Sequence, residues 1–321
     1  MIAAPATGGV EVLTFGESMV SFRSDGPLVQ GGLQTTRLAG AESNVAIGLS
    51  RLGHGVAWAG RVGDDAFGRL VLRELRAEGV DTAWVVVDDE RPTGLMFVEQ
   101  RSADLTRVEY RRAGSAGSAV DRDDVAVALR TAPRVLHVTG ITPALSDSAA
   151  EAVAFAVESA CAAGVLVSLD VNYRSRLWGR DRAREVLAPL ARRATLVIAS
   201  DDELDLVAGG DEDEAVAHLL AEGVRQVAVK RGPLGATLYS REGRVDAPAL
   251  AVTAVDPIGA GDAFTAGFLS GVLDGLEPAG CLMRAATTGA FAVSTRGDWE
   301  GAPTRADLAL LERHTPGATV R

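Results

Sequence analysis

The sequence predicts an α/β protein, with a central, mostly parallel sheet, helices on both of its faces and a small β lid. Three observations carry this. Short, almost continuously apolar runs alternate with Ala/Leu-rich helical patterns, as in strands buried on both faces and joined by crossover helices. Two segments, 18–38 and 93–114, break that rhythm. The 321 residues can bury a large core, and no repeat, low-complexity tract or long linker divides them.

The strand expectations, in order, are 12–15, 56–60, 135–139, 165–170, 196–199 and 227–230. Each is rich in Val, Ile, Leu or Ala and bounded by polar or glycine residues. The helices between them are 44–52, 66–78, 147–163 and 183–193, with a further apolar one at 263–273. In the first, Val45, Leu49 and Leu52 form an i, i+4, i+7 stripe suited to face a core. Segment 18–38 is polar and glycine-rich, whereas 93–114 alternates like antiparallel strands and carries Arg101, Arg107, Arg111 and Arg112. Both read as extra strands projecting from the sheet, either as a lid or as a surface hairpin.

Composition narrows the function classes. Charge sums to −11, so binding to nucleic-acid phosphates is not expected, although local fields can still favour a small anion. Aromatic residues are only 5% while glycines number 36, which favours close backbone approach over an aromatic recognition surface. Cys161 and Cys281, the two cysteines, are far apart and lie in Ala-rich helical patterns. They read as buried small hydrophobes in a reducing, cytoplasmic compartment. Residues 1–10 lack the pattern of a secretory leader and read as a loose tail, and no run is long and apolar enough to cross a membrane. His54, His137, His218 and His314 form no metal-binding spacing.

The strongest local signal is Asp256-Pro257-Ile258-Gly259-Ala260-Gly261-Asp262-Ala263-Phe264, a turn of small residues entering a helix. Backbone N–H groups at such a helix start can hold a phosphate, and Gly259 and Gly261 let it approach. Asp262 could simply cap the helix. It could equally be a base beside a transferring phosphoryl group. No Lys follows the second glycine as in a Walker A loop, and no first strand leads into a dinucleotide fingerprint.

This motif resembles the second signature of the ribokinase-like (PfkB-type) carbohydrate kinases. Gly40-Ala41-Glu42-Ser43-Asn44-Val45-Ala46, followed by Gly60-Arg61-Val62-Gly63-Asp64-Asp65, resembles the first. Within that family, Ser168-Leu169-Asp170-Val171-Asn172-Tyr173-Arg174, Tyr110-Arg111-Arg112 and Arg296-Gly297-Asp298-Trp299-Glu300-Gly301 resemble the 2-keto-3-deoxygluconate kinase branch. The resemblance implies a ribokinase-like domain over 11–314, with lid segments near 18–38 and 93–114 and a second tail at 315–321. It implies ATP-dependent phosphorylation of the C6 hydroxyl of 2-keto-3-deoxygluconate. A neutral-sugar kinase such as a fructokinase, or a non-catalytic sugar- or nucleotide-binding regulator, are the alternatives.

Residue roles follow from the same resemblance. Asp262 is the base, with Gly259, Ala260 and Gly261 as the anion hole. Gly40, Asn44, Tyr110, Arg112, Arg174 and Asp298 are expected to meet the sugar acid. Two arginines suit a carboxylate, which they can grip with paired hydrogen bonds, although Arg112 alone could be a surface residue of an Arg-rich lid. Asn172, Ser200, Lys230, Gly232 and Gly235 are expected beside ATP; Lys230 and its neighbour Arg231 could otherwise be merely solvated. Mg²⁺ rides on the ATP phosphates, with Glu203 orienting its water; Ser200 and Glu203 could alternatively cap a helix. Asp256 is a candidate for holding a monovalent cation such as K⁺. Met96 stands where this branch usually has Tyr, so one phenol contact to the substrate is missing. Pairing of lid strand edges would make a homo-oligomer.

Overall fold

A nine-stranded sheet forms the centre of the molecule, and its strand order places the site. The computed structural model describes residues 9–102 and 105–311; of the tails expected at 1–10 and 315–321, only Gly9 and Val10 lie inside that range. Val10 is not loose, because it packs against the core.

The chain starts in the middle of the sheet with β1 (Val12–Phe15) and then leaves it for two lid strands, β2 (Met19–Ser24) and β3 (Thr35–Ala39). Helix α1 (Ala41–Arg51) returns it to β4 (Val56–Gly63), and α2 (Ala66–Ala77) leads to the edge strand β5 (Val85–Asp88). Two more lid strands follow, β6 (Leu95–Ser102) and β7 (Leu105–Arg111), then α3 (Arg122–Ala128). The second half alternates regularly: β8 (Val135–Thr139), α4 (Asp147–Ala162), β9 (Leu166–Asp170), α5 (Arg180–Arg193), β10 (Leu196–Ser200), α6 (Glu212–Glu222) and β11 (Gln226–Lys230). The hairpin β12 (Ala236–Ser240) and β13 (Gly243–Ala247) closes the far edge, before α7 (Ala260–Leu273), α8 (Pro278–Val293) and α9 (Arg305–Leu311).

The sheet order is β13-β12-β11-β10-β9-β8-β1-β4-β5, parallel except for the two outermost pairings at the hairpin edge. β1 lies between β8 and β4, with Val12 in register with both Val135 and Val56. The chain therefore winds outward in both directions from β1. A crevice opens at the carboxyl ends of the strands where the winding reverses, which is where open α/β sheets bind ligands.

Local chemistry explains the element boundaries. Asp65 caps α2, Ser146 caps α4, and Asp211 with Glu214 forms a reciprocal capping box on α6. Gly223 ends α6 in a left-handed conformation at φ 111°. Strands such as VLTF and VLHVT are buried along their whole length because helices cover both faces. Leu13, Phe15 and Leu136 pack on one face against α4 and α5 residues such as Val153 and Leu187; Val12, Trp58 and Ile198 pack on the other with Ile47 of α1 and Phe268 of α7.

The lid is a separate four-stranded sheet ordered β3-β2-β6-β7. Its inner pair, β2 and β6, is parallel, and the outer pairings are antiparallel. Phe22 stacks on Phe97 at 5.4 Å and meets Phe67 of α2 edge-on at 5.7 Å, which seats the lid on the body.

Several expectations are corrected. Helix α1 begins at Ala41 rather than 44, and α7 begins at Ala260 rather than 263, because backbone geometry extends each through small residues that carry no apolar period. β5 and the β12–β13 hairpin were not anticipated; edge strands carry weaker apolar signals. Cys161 is exposed, not buried, whereas Cys281 is buried as expected. Among the described residues, no helix is long and apolar enough to cross a membrane.

Helices α7 and α8 pack closely through glycine. A Cβ on Gly267 would lie 2.2 Å from Thr288 Oγ1 and 2.9 Å from Ala285 Cα. Gly267→Val should therefore overpack the contact and destabilise the protein by roughly 1–3 kcal/mol, read as a lower urea midpoint. An unchanged midpoint would show that the two helices can separate freely.

Candidate active site

Asp262 is the third residue of α7, and its side chain enters the crevice from beneath. Gly259, the N-cap, has φ 76°, a conformation that favours glycine. It also has no room for a side chain, because a Cβ there would lie 1.7 Å from the Asp298 carbonyl oxygen. The Ala260 N–H donates to Pro257 O at 3.3 Å within the turn. The Ala260 N–H, expected to face an anion, is thus used within the turn; among the described residues the Gly261 and Asp262 N–H groups are the helix-start donors left over.

Two amides hold the Asp262 carboxylate. Asn44 Nδ2 of α1 donates to Oδ2 at 2.8 Å, and Asn172 Nδ2 donates to Oδ1 at 3.4 Å. Asn172 follows β9 with φ 41°, an uncommon conformation for a residue with a side chain, and this turns its amide inward. Burial pushes the Asp262 pKa from 3.8 up to about 6; the Asn44 bond and the Arg174 charge pull it down, and the Asp170 charge raises it further.

Lys230, at the end of β11, reaches the same centre. Its Nζ donates to both Asp170 oxygens, at 2.8 and 3.0 Å, and a Cβ on Gly261 would stand 3.7 Å from it. Burial pulls the ammonium toward neutrality, but the Asp170 and Glu203 carboxylates outweigh this and hold its pKa above the ordinary value. Thr265 Oγ1 donates to Asp170 Oδ2 at 2.8 Å. Ser200 is in register with Lys230 at the neighbouring strand end. Glu203 accepts the N–H groups of Tyr173 at 2.7 Å and Ser200 at 2.8 Å, bracing two strand ends. Only a short 3-10 turn, Leu204–Leu206, follows; of the expected capping pair the Ser200 N–H to Glu203 bond forms, and no side chain caps the turn. Gly232 has φ 53° beyond β11, and Gly235 is constrained by the hairpin, where a Cβ would lie 2.1 Å from Ala247 O.

On the lid side, Gly40, Asn44, Tyr110, Arg112, Arg174, Asp262 and Asp298 line one cavity of about 810 Å³, together with Met96. Arg112 makes an ion pair at 2.5 Å with the fully buried Glu17, and its guanidinium lies 5.4 Å from the Tyr110 ring centre. It is thus a positioned cation and not a surface arginine. Arg174 is exposed and donates to the Tyr173 carbonyl at 3.2 Å. Asp298 uses Oδ1 to accept from Arg23 of the lid at 2.5 Å. Asp256 is already engaged: Oδ2 accepts from Arg23 at 2.5 Å and from Gly297 N–H at 3.3 Å, while Oδ1 accepts from Ile258 N–H at 3.1 Å.

Sequence reasoning missed Glu17, Arg23 and Asp170, whose partners lie 95, 275 and 60 positions away. Asp170 lies inside a quoted motif, and that was its only signal. The Gly60–Asp65 run has a structural task here: Asp65 caps α2 and accepts from Thr93 N–H at 2.8 Å, which fixes the second entrance to the lid. Among the described residues no group of three His, Cys, Asp or Glu side chains could hold a metal ion by itself.

The Asp262 environment sets a pH dependence. A carboxylate that accepts a proton must be ionised, so kcat/KM should fall as pH drops through about 6. Stability should move the opposite way. The folded state binds this proton more tightly than the unfolded state, so the cost of the buried charge appears as pH rises from about 4 to about 6 and persists above. Asp262→Asn should then be inactive yet more stable at pH 8 by roughly 1–3 kcal/mol, with the gain absent near pH 4, as read by urea denaturation at both pH values. Equal effects at both would show that the carboxylate carries no such cost.

The chain matches the pfkB family carbohydrate kinase description over residues 11–305. It is 37% identical over 315 residues to a 2-dehydro-3-deoxygluconokinase of Bacillus subtilis, covering 94% of each chain. It is 33% identical to fructokinase-1 of Zea mays, covering 96% of this chain and 99% of that one. A putative ribokinase II from E. coli, solved with ATP and Mg²⁺, superposes with a TM-score of 0.89 at 27% identity, covering 95% of this chain and 100% of that one. With its parallel sheet, its small lid and a buried aspartate at a glycine-rich helix start, this chain belongs to the pfkB family of carbohydrate kinases.

Proposed function

We propose that this carbohydrate kinase transfers the γ-phosphoryl group of ATP to the C6 hydroxyl of 2-keto-3-deoxygluconate, giving 2-keto-3-deoxy-6-phosphogluconate. One observation carries the choice of substrate. The cavity lined by the Asp262 carboxylate is also lined by three arginines, Arg112, Arg174 and Arg176. A sugar with a carboxylate at one end and a hydroxyl at the other spans such a site. Arg112 already answers Glu17 and Arg176 donates to the Val108 carbonyl, so Arg174 is the arginine that a neutral sugar leaves without a purpose.

The residue roles follow from chemistry. Asp262 accepts the proton as the hydroxyl oxygen bonds to the γ-phosphorus and the bond to the ADP oxygen breaks. Asn44 and Asn172 fix the carboxylate so that it meets that hydroxyl in one orientation. The turn at Gly259, Ala260 and Gly261 holds the charged phosphoryl oxygens, and Lys230 adds positive charge beneath them. Mg²⁺ neutralises the ATP phosphates when bound. Glu203, whose two oxygens accept the Tyr173 and Ser200 N–H groups, would use its remaining lone pairs to orient a water of that ion. Asn172, Ser200 and the loop with Gly232 and Gly235 border ATP. On the sugar side, Gly40, Tyr110 and the free oxygen of Asp298 face the hydroxyls. Arg174, which forms no ion pair among the described residues although its charge favours the ionised Asp262, is the first choice to grip the substrate carboxylate.

The test is a coupled ADP-release assay with Mg-ATP on 2-keto-3-deoxygluconate, fructose and ribose, with Asp262→Asn as control. Turnover should favour the keto acid and be lost in the variant. Arg174→Gln should raise KM for the keto acid about tenfold to a hundredfold, the worth of a charge-assisted hydrogen bond, and change kcat less. Preference for fructose, with Arg174→Gln silent, would move the assignment to a neutral-sugar kinase. Turnover in any form would exclude a purely binding protein.

The lid sheet ends in β3 on one side and β7 on the other. Pairing of these edges between two copies would protect them, and a homo-oligomer through the lid is the expected assembly. Sedimentation at micromolar concentration should show a species larger than the monomer; a monomer alone would refute it.

A further inference from the structure

We infer that Arg23 is a built-in cation for the phosphate-holding turn, and that it makes the enzyme independent of monovalent cations while tying that turn to the lid. This role presupposes the phosphoryl-transfer reading of the site.

K⁺ at Asp256 does not fit the residues present. Both Asp256 oxygens are already used, by the Arg23 guanidinium and by the N–H groups of Ile258 and Gly297. A cation bound there would lie within a few ångströms of a fixed positive charge and would have to displace it. Arg23 does for the surrounding backbone what an ion would do. Its Nη1 holds Asp256 and its Nη2 holds Asp298, each at 2.5 Å, so one planar fork joins the two segments that meet at Gly259. Asp256 in turn fixes the Ile258 N–H, and the Asp298 carbonyl abuts Gly259. All three side chains are largely buried, with 12, 9 and 5% of their surfaces accessible for Arg23, Asp256 and Asp298.

Arg23 differs from an ion in one respect, because it belongs to the lid. It sits on β2, in register with Thr35 of β3 and Val98 of β6. The phosphate-holding turn is therefore hydrogen-bonded through a side chain to the central pair of lid strands. Arg23 does not line the cavity that Asp262 lines and acts as a positioning residue.

The test measures keto-acid phosphorylation by the full chain in K⁺, Na⁺ and tetramethylammonium chlorides at one ionic strength, for wild type, Arg23→Ala and Arg23→Lys. Wild-type rates should agree within about twofold, the scale of non-specific salt effects. Arg23→Ala should lose roughly tenfold to a hundredfold in kcat, as a slightly misplaced reacting group does, and K⁺ should recover part of the loss. Arg23→Lys should fall between, since one ammonium cannot fork to both carboxylates. A thermal-shift titration with K⁺, which needs no substrate, should raise the melting temperature of Arg23→Ala and leave that of wild type level with its Na⁺ control. Saturable K⁺ stimulation of wild type, an Arg23→Ala variant with wild-type kcat, or a loss that K⁺ does not relieve would each overturn the proposal. If Arg23→Ala does not fold, the wild-type cation response decides alone. If no sugar is phosphorylated in any salt, the functional reading fails and the thermal titration still judges Arg23.

Discussion

A carboxylate held inside the protein at the start of a helix is the constraint on which the rest of the site depends. Asp262 is 8% exposed, and burial alone would neutralise it. It can ionise near neutral pH because two amides donate to it and cationic groups lie nearby. Asn44 can reach Asp262 because α1 and α7 touch where Gly48 faces Ala266; a Cβ on Gly48 would lie 2.7 Å from the Ala266 methyl group. The first signature of the sequence thus serves the second. Gly48, on the helix that carries that signature, sets the separation of two helices, and Asn44 uses the proximity that results.

The same logic extends along the strand ends. Lys230 and Asp170 bury opposite charges side by side, with Thr265 completing the carboxylate's hydrogen bonds. Breaking such a pair leaves an uncompensated charge in a poorly polarisable place. Glu42 braces the other flank, where Thr139 and Thr142 both donate to its Oε1 at 2.6 Å. These contacts set two polar clusters under the crevice, one joining β9, β11 and α7 and the other joining β8 and α1. The apolar layers on both faces of the sheet exclude water from them, which strengthens each bond and raises the cost of losing one.

Much of this was legible in the sequence. Strands β1, β4, β8, β9, β10 and β11 are short apolar runs whose pattern does not depend on their neighbours. The turn at Gly259 and the carboxylate at Asp262 are local features, as is the Arg- and Tyr-bearing segment of the lid. What escaped was pairing at a distance. Nothing near Glu17 in the chain announces Arg112, and nothing near Arg23 announces Asp256 or Asp298. Such partners exist only once the sheet order is set. Asp256 shows the same limit in reverse, since its carboxylate suggested an ion site until the fold brought a guanidinium to it. The exposed Cys161 shows that an alanine-rich stretch does not tell which side of a helix meets water.

The contact between Gly259 and the Asp298 carbonyl has a consequence for how the protein can diversify. The turn proposed to cradle phosphate and the turn proposed to face the sugar share a backbone surface with no room for even a methyl group. Neither can be reshaped without bending the other. Drift in substrate range is thereby channelled away from the body of the molecule and onto the lid, where Met96 and Tyr110 face the cavity from paired strands and can be exchanged one side chain at a time. The rigid half of the pocket preserves the reaction, and the lid is where new substrates can be tried.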